Sequence, residues 1–145
     1  MNELMGYDIE DLEVGMSANF SKTITEADIV LFAGVSGDNN AIHTNEEFAS
    51  KTIFNGRIAH GMLSASVISA AIANKLPGPG TIYMAQNLLF KAPVRAGDTV
   101  HAHVSVTEIF IDKQRALLRT ECFVKGEIVI EGEALVKATS RKSRT

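Results

Sequence analysis

The chain has 145 residues, 46% of them hydrophobic and 21% charged, proportions that belong to a globular protein and exclude a disordered one. That length predicts one domain over residues 1–145. A net charge of −3 supplies no clustered positive face of the kind nucleic acid requires, and the lone Cys122 excludes an internal disulfide and a cysteine-rich metal site.

Residues 1–13 are acidic and lack the basic start and apolar core of a secretion signal, which predicts a cytoplasmic protein. Both ends, 1–13 and 138–145, are expected to be flexible, and the basic cluster Arg141, Lys142, Arg144 to be a solvated terminus. Residues 14–25 read as a strand. Thr25-Glu26-Ala27-Asp28 then has the chemistry of a helix start, an N-cap oxygen followed by acidic residues at the positive end of the dipole. Ile29, Val30, Phe32 and Ala33 continue that helix, and Gly34 and Gly37 end it just before Asp38.

Residues 38–56 are mostly polar, with apolar anchors expected at Ile42, Phe48, Ala49, Ile53 and Phe54 and one helical turn over 45–50. This is the pattern of an ordered loop. Residues 61–75 carry no charge before Lys75, so they predict a helix that is apolar nearly all round and therefore buried. Its apolar part is too short and too rich in serine for the roughly 20 residues that cross a membrane. Pro77 and the glycines beside it end this helix. Four runs with strand chemistry follow, over 81–91, 99–110, 114–124 and 128–137. Turn signals at 95–98, 111–113 and 125–126 suggest hairpin connections. One apolar helix is most economically covered by one antiparallel sheet, an α+β arrangement. Cys122 falls in an apolar run, where it reads as a packed hydrophobe. His101 and His103 share one face of a strand without a third ligand nearby, so they read as surface or cross-strand residues.

Three blocks carry a resemblance. Phe32-Ala-Gly-Val-Ser-Gly-Asp38-Asn-Asn40-Ala-Ile-His43, continued by Thr44 to Ala49, resembles the hydratase 2 motif of (R)-specific enoyl-CoA hydratases in the MaoC-like dehydratase group. Ile58-Ala-His60-Gly61-Met62-Leu63 resembles that group's stretch at the start of the central helix, and residues 80–83 with 90–98 resemble the strand and turn after it. Taken alone, Asp-Asn-Asn with a histidine five residues beyond Asp38 is ordinary turn chemistry. It is the three blocks in the family's order that give it meaning. Ala41 departs from the pattern, which commonly has proline there.

The resemblance implies a hot-dog fold, an antiparallel sheet wrapped around one long buried helix. It also implies (R)-specific, reversible hydration of trans-2-enoyl-CoA to (R)-3-hydroxyacyl-CoA. In that reading Asp38 takes a proton from a water that His43 orients, and the backbone N–H of Gly61 stabilises charge on the thioester oxygen. Asn40 supports the loop, and Ser69 hydrogen-bonds near the catalytic pair unless it bonds its own i−4 carbonyl. His60 reads as packing at the helix start, with substrate contact as its functional alternative. Met62 beside it is a further candidate contact, and Arg57, Lys91 and Arg95 are cations within reach of phosphates. No metal and no other cofactor is implied. The expected partners are an acyl-CoA or acyl carrier protein thioester and a second copy of the chain, in a homodimer or dimer of dimers, with no nucleic acid and no membrane. Alternatives are a hot-dog acyl-CoA thioesterase and a non-catalytic acyl-thioester-binding domain.

Overall fold

The computed structural model describes residues 4–143. The chain forms strand β1 (Ser17–Thr23), helix α1 (Glu26–Ser36), the single-turn helices α2 (Ala41–Thr44) and α3 (Glu46–Ala49), and helix α4 (Gly61–Asn74). Strands β2 (Ile82–Phe90), β3 (Thr99–Phe110), β4 (Arg115–Val124) and β5 (Glu127–Lys137) follow. All five strands make one antiparallel sheet in the order β1-β3-β4-β5-β2.

Alternation makes the sheet's inner face. Val100, Ala102, Val104 and Val106 of β3 are buried, as are Ala116, Leu118 and Cys122 of β4 and Ile130, Ala134 and Val136 of β5. Against this face lies α4, which packs on β3, β1 and β4 and buries Ala65, Val67, Ile68, Ala71 and Ile72. Burying side chains the size of Val67, Ile68 and Ile72 contributes about 1.5–3 kcal/mol each, so the helix is held by its packing. Burial pushes the Cys122 thiol up to about 12, and it is an inert part of the core.

Four expectations are corrected. Helix α4 is buried on one face only, because Met62, Ser66, Ser69 and Ala73 are exposed on the other. The link over 91–98 is no hairpin. Arg95 and Asp98 do form a turn, the Asp98 N–H donating to the Arg95 carbonyl at 3.0 Å, but β3 pairs with β1 from Thr23↔Thr99 to Ser17↔Ser105, while β2 lies at the opposite edge on β5. Among the apolar residues expected to anchor 38–56, Ala49 is buried, whereas Phe48 and Ile53 are 50% and 90% exposed.

The ends, expected to be loose, are tied to each other. The Ile9 N–H donates to the Thr139 carbonyl at 2.7 Å, Thr139 Oγ1 donates to Asp8 Oδ1 at 2.7 Å, and Arg141 pairs with Asp11 at 2.7 Å. Acidic residues at one end meet a basic residue at the other, and Ile9, 1% exposed, fastens the first segment to the core. Arg144 lies outside the described residues. His101 and His103 are cross-strand residues as expected, hydrogen-bonded to Ser21 and Asn19 of β1 at 2.6 Å each. No helix among the described residues is long and apolar enough to cross a membrane.

Candidate active site

The site begins with how α1 starts and stops. Thr25 Oγ1 accepts the Asp28 N–H and Asp28 accepts the Thr25 N–H in return, a reciprocal cap that satisfies two amides left over at the first turn. At the other end Gly37, with φ of 81°, takes the left-handed conformation that ends a helix and turns the chain into Asp38.

Asp38 is then fixed at three atoms. Its N–H donates to Ser36 Oγ at 3.1 Å, its Oδ1 accepts the Asn40 N–H at 3.3 Å, and its carbonyl oxygen accepts His60 Nε2–H at 2.8 Å. Asn40 caps α2, its Oδ1 accepting the Ile42 N–H at 3.0 Å. That cap places His43 one turn later, 8% exposed, with Nδ1 2.8 Å from the Ile58 carbonyl oxygen.

A carbonyl oxygen accepts only, so the ring nitrogen facing it carries the hydrogen. The neutral His43 ring is therefore protonated at Nδ1 and keeps Nε2 as an acceptor, while the neutral His60 ring is protonated at Nε2. The two imidazoles stack at 3.9 Å with planes 30° apart, and Phe32 leans on His60 at 4.9 Å. An Asp38 carboxylate oxygen and ring nitrogens of His43 and His60 all lie within 4.8 Å of one another. One water with hydrogen bonds of about 2.8 Å to two acceptors spans such a gap. The same one-oxygen, two-nitrogen set is the one grouping among the described residues with the spacing to hold a metal ion, each ring having one nitrogen not already bound to a carbonyl.

Above this cluster α4 starts at Gly61. The Gly61 and Met62 amides precede the first intrahelical bonds, which the Leu63 and Ser64 N–H groups make to the His60 carbonyl at 3.1 and 3.2 Å, and lie at the positive end of the helix dipole. Gly61 is favoured by contact. A Cβ there would come within 2.7 Å of the Phe90 ring.

Asp38, Asn40 and His43 thus meet as the sequence expects, and Gly61 adjoins them through His60. The packing role of His60 is upheld, since it is 1% exposed, but its bond to Asp38 also makes it part of the site. Arg57 is engaged within the protein. It makes a bidentate pair with Glu26 at 2.7 and 3.0 Å, approaches Glu46 at 3.4 Å and donates to the His43 carbonyl at 3.3 Å. Arg57 therefore ties α1, α2 and α3 together, and Arg95 is likewise spent on the Arg57 and Phe54 carbonyls. The Arg57 guanidinium holds the Glu26 carboxyl below the usual carboxylate range. The stability this lends is present above the ordinary carboxylate pKa and fades as pH falls through the lowered one. It is small, because Glu26 is largely exposed.

Lys91 is exposed and lies 3.5 Å from Glu131. Met62 is 58% exposed. Ser69 sits on the outer face of α4 and makes neither a bond to the catalytic pair nor the expected i−4 back-bond among the described residues. It is Ser66 that bonds back, to Leu63. Sequence reasoning missed Ile58 and Ser36. Ile58 acts through its carbonyl, which no side-chain pattern reveals, whereas a serine two residues before Asp38 at a helix end was a legible signal.

Beside α4 is a cavity of about 260 Å³ whose lining includes Phe54, Ile58, Gly61, Ser64, Phe90 and Ile130.

The chain is similar to known proteins. The MaoC like domain family matches residues 11–132. An (R)-specific enoyl-CoA hydratase of Rhodospirillum rubrum is 53% identical over 140 residues, 97% of each chain. A 3-hydroxybutyryl-CoA dehydratase of Methylorubrum extorquens is 47% identical over 92% of this chain and 85% of its own. Among solved structures, an unliganded R-hydratase of Pseudomonas aeruginosa superposes with a TM-score of 0.88 at 44% identity, over 94% of this chain and 88% of its own. An (R)-hydratase of Aeromonas caviae involved in PHA biosynthesis gives 0.86 at 44% identity, over 89% of this chain and 98% of its own.

The loop is compatible with the proline that the resembled motif commonly has at position 41. Asn40 has φ −52° and ψ 134°, which a following proline favours, and Ala41 is the first residue of α2, where proline suits a helix. Ala41→Pro is therefore expected to stabilise the protein by about 0.4–1 kcal/mol in urea denaturation. Destabilisation would contradict this description of the loop.

Proposed function

This chain belongs to the MaoC-like dehydratase family and has its hot-dog fold, and from that premise we propose that it hydrates trans-2-enoyl-CoA to (R)-3-hydroxyacyl-CoA and catalyses the reverse dehydration. The chemistry is that of a hydro-lyase. The observation that carries the assignment of roles is the meeting of Asp38 and His43 within 4.8 Å beside the first turn of α4.

A water between them donates one hydrogen to the Asp38 carboxylate and the other to His43 Nε2. With both hydrogens engaged, a lone pair is free to attack C3 of the enoyl thioester. The new C3–O bond forms, the C2=C3 π pair moves toward the thioester oxygen, and Asp38 receives the proton. The Gly61 N–H and the α4 dipole stabilise the enolate oxygen. Asp38 then returns its proton to C2, closing the balance. One group serving both carbons puts the new bonds on the same face, a syn addition. In the dehydration direction Asp38 removes the C2 proton and delivers it to the departing hydroxyl.

A homodimer is proposed with it. Strand β2 is a sheet edge that leaves Ile82, Met84 and Phe90 41–58% exposed, and the outer face of α4 is unpartnered. A second β2 pairing there would remove an edge open to unwanted strands. A substrate carried on water-soluble CoA fits the proposed cytoplasmic location.

Two measurements test these assignments. With crotonyl-CoA, loss of the conjugated enoyl absorbance and formation of the (R)-3-hydroxy product are expected. Asp38→Asn and His43→Ala should each lower kcat by roughly two to four orders of magnitude, the range for a positioned acid–base group. Release of free CoA would identify a thioesterase instead, and full activity in either variant would remove that residue from the mechanism. Light scattering should give twice the 15.6 kDa of one chain, and a monomer at micromolar concentration would contradict the dimer.

A further inference from the structure

The cavity beside α4 holds one feature that hydration does not use. Ser64 lines it, is 1% exposed, and is buried with an Oγ that has no hydrogen-bond partner. An unpaired buried hydroxyl carries a desolvation cost that a bound polar group relieves. The remainder of the lining is largely apolar, with Phe54, Ile58, Phe90 and Ile130 around it and Lys91, itself exposed, as the one charged residue.

Residues 58–61 form a wall shared by the cavity and the catalytic cluster. The Ile58 carbonyl and the His60 ring hold His43 and Asp38, while Ile58, Ala59 and Gly61 line the cavity, and neither Asp38 nor His43 does. If the thioester oxygen is at the Gly61 N–H and C2 and C3 are beside Asp38, the part of the substrate that continues into the cavity is the sulfur and its pantetheine arm. The first polar atom along that arm is an amide nitrogen, two carbons beyond sulfur. Ser64 is three residues along the helix from Gly61, on the same side, and side chains in a helix lean toward its N-terminus, so its Oγ lies near the path of the arm.

We propose that the cavity is a pantetheine subsite in which Ser64 Oγ accepts the N–H of that first amide. An amide entering an apolar cavity loses its water and needs such a partner. Ser64 would then help distinguish carrier-linked thioesters from simple ones. This assignment rests on the hydratase reading, because Gly61 and Asp38 set the direction of the substrate.

The test uses butanoyl-pantetheine, which lacks the double bond and cannot be hydrated, and an analogue with an ester oxygen in place of the first amide N–H. Binding of each to the native protein and to Ser64→Ala is measured by calorimetry, with crotonyl-CoA turnover recorded on the same preparations. The native protein should bind the amide about 3- to 10-fold more tightly than the ester, and Ser64→Ala should bind the two equally. Equal discrimination by both proteins would overturn the proposal, and so would an effect of Ser64→Ala that varies with acyl length and not with the amide. Discrimination lost in Ser64→Ala while the native protein shows no turnover would sink the hydratase reading and leave the subsite. Normal turnover without discrimination would do the reverse.

Discussion

One hydrogen bond organises the catalytic cluster, the donation from His60 Nε2 to the Asp38 carbonyl oxygen at 2.8 Å. It joins the residue that immediately precedes α4 to the loop that follows α1, two segments that the sheet alone would leave independent. Because the acceptor is a backbone carbonyl, the bond holds the chain at Asp38 without using its carboxylate. The same ring stacks on His43, so the position of one histidine sets the position of the other. Their neutral tautomers are opposite, since each is dictated by a carbonyl on a different ring nitrogen.

The scaffold supports this arrangement from outside. Arg57 ties α1, α2 and α3 by contacts to Glu26, Glu46 and the His43 carbonyl, and α4 is pinned by its aliphatic face to the inner face of the sheet. Individual exposed ion pairs contribute little. What matters here is that one guanidinium joins three short segments which have little core of their own. Asp38 sits on the short loop after α1 and His43 on the single turn of α2, and side-chain caps from Thr25, Asn40 and Asn45 close these segments.

Much of this was legible in the chain. The Thr25–Asp28 cap, the bounds of α4 and all four later strands follow from residue type and period, and Asp38, Asn40, His43 and Gly61 follow from the motif. Pairing order was not legible, because the turn at 95–98 has hairpin chemistry while the strands on either side go to opposite parts of the sheet. The fate of Arg57 was equally hidden. A cation looks available to phosphate until Glu26, thirty-one residues earlier in sequence, is brought to it by the fold. His60 was read as packing at the helix start, and that reading missed the bond to Asp38 because the acceptor is backbone. The tied ends have the same origin, since the pairing of Asp11 with Arg141 spans nearly the whole chain.

The opposed tautomers are the central structural claim, and long-range nitrogen–proton correlation of the imidazoles by NMR tests them most directly. With four histidines in the chain, His43 and His60 are assigned by their absence in single variants. In the neutral rings of the native protein, His43 should be protonated at Nδ1 and His60 at Nε2. A His43 ring protonated at Nε2 would leave no acceptor beside Asp38 for the water's second hydrogen and would contradict the mechanism.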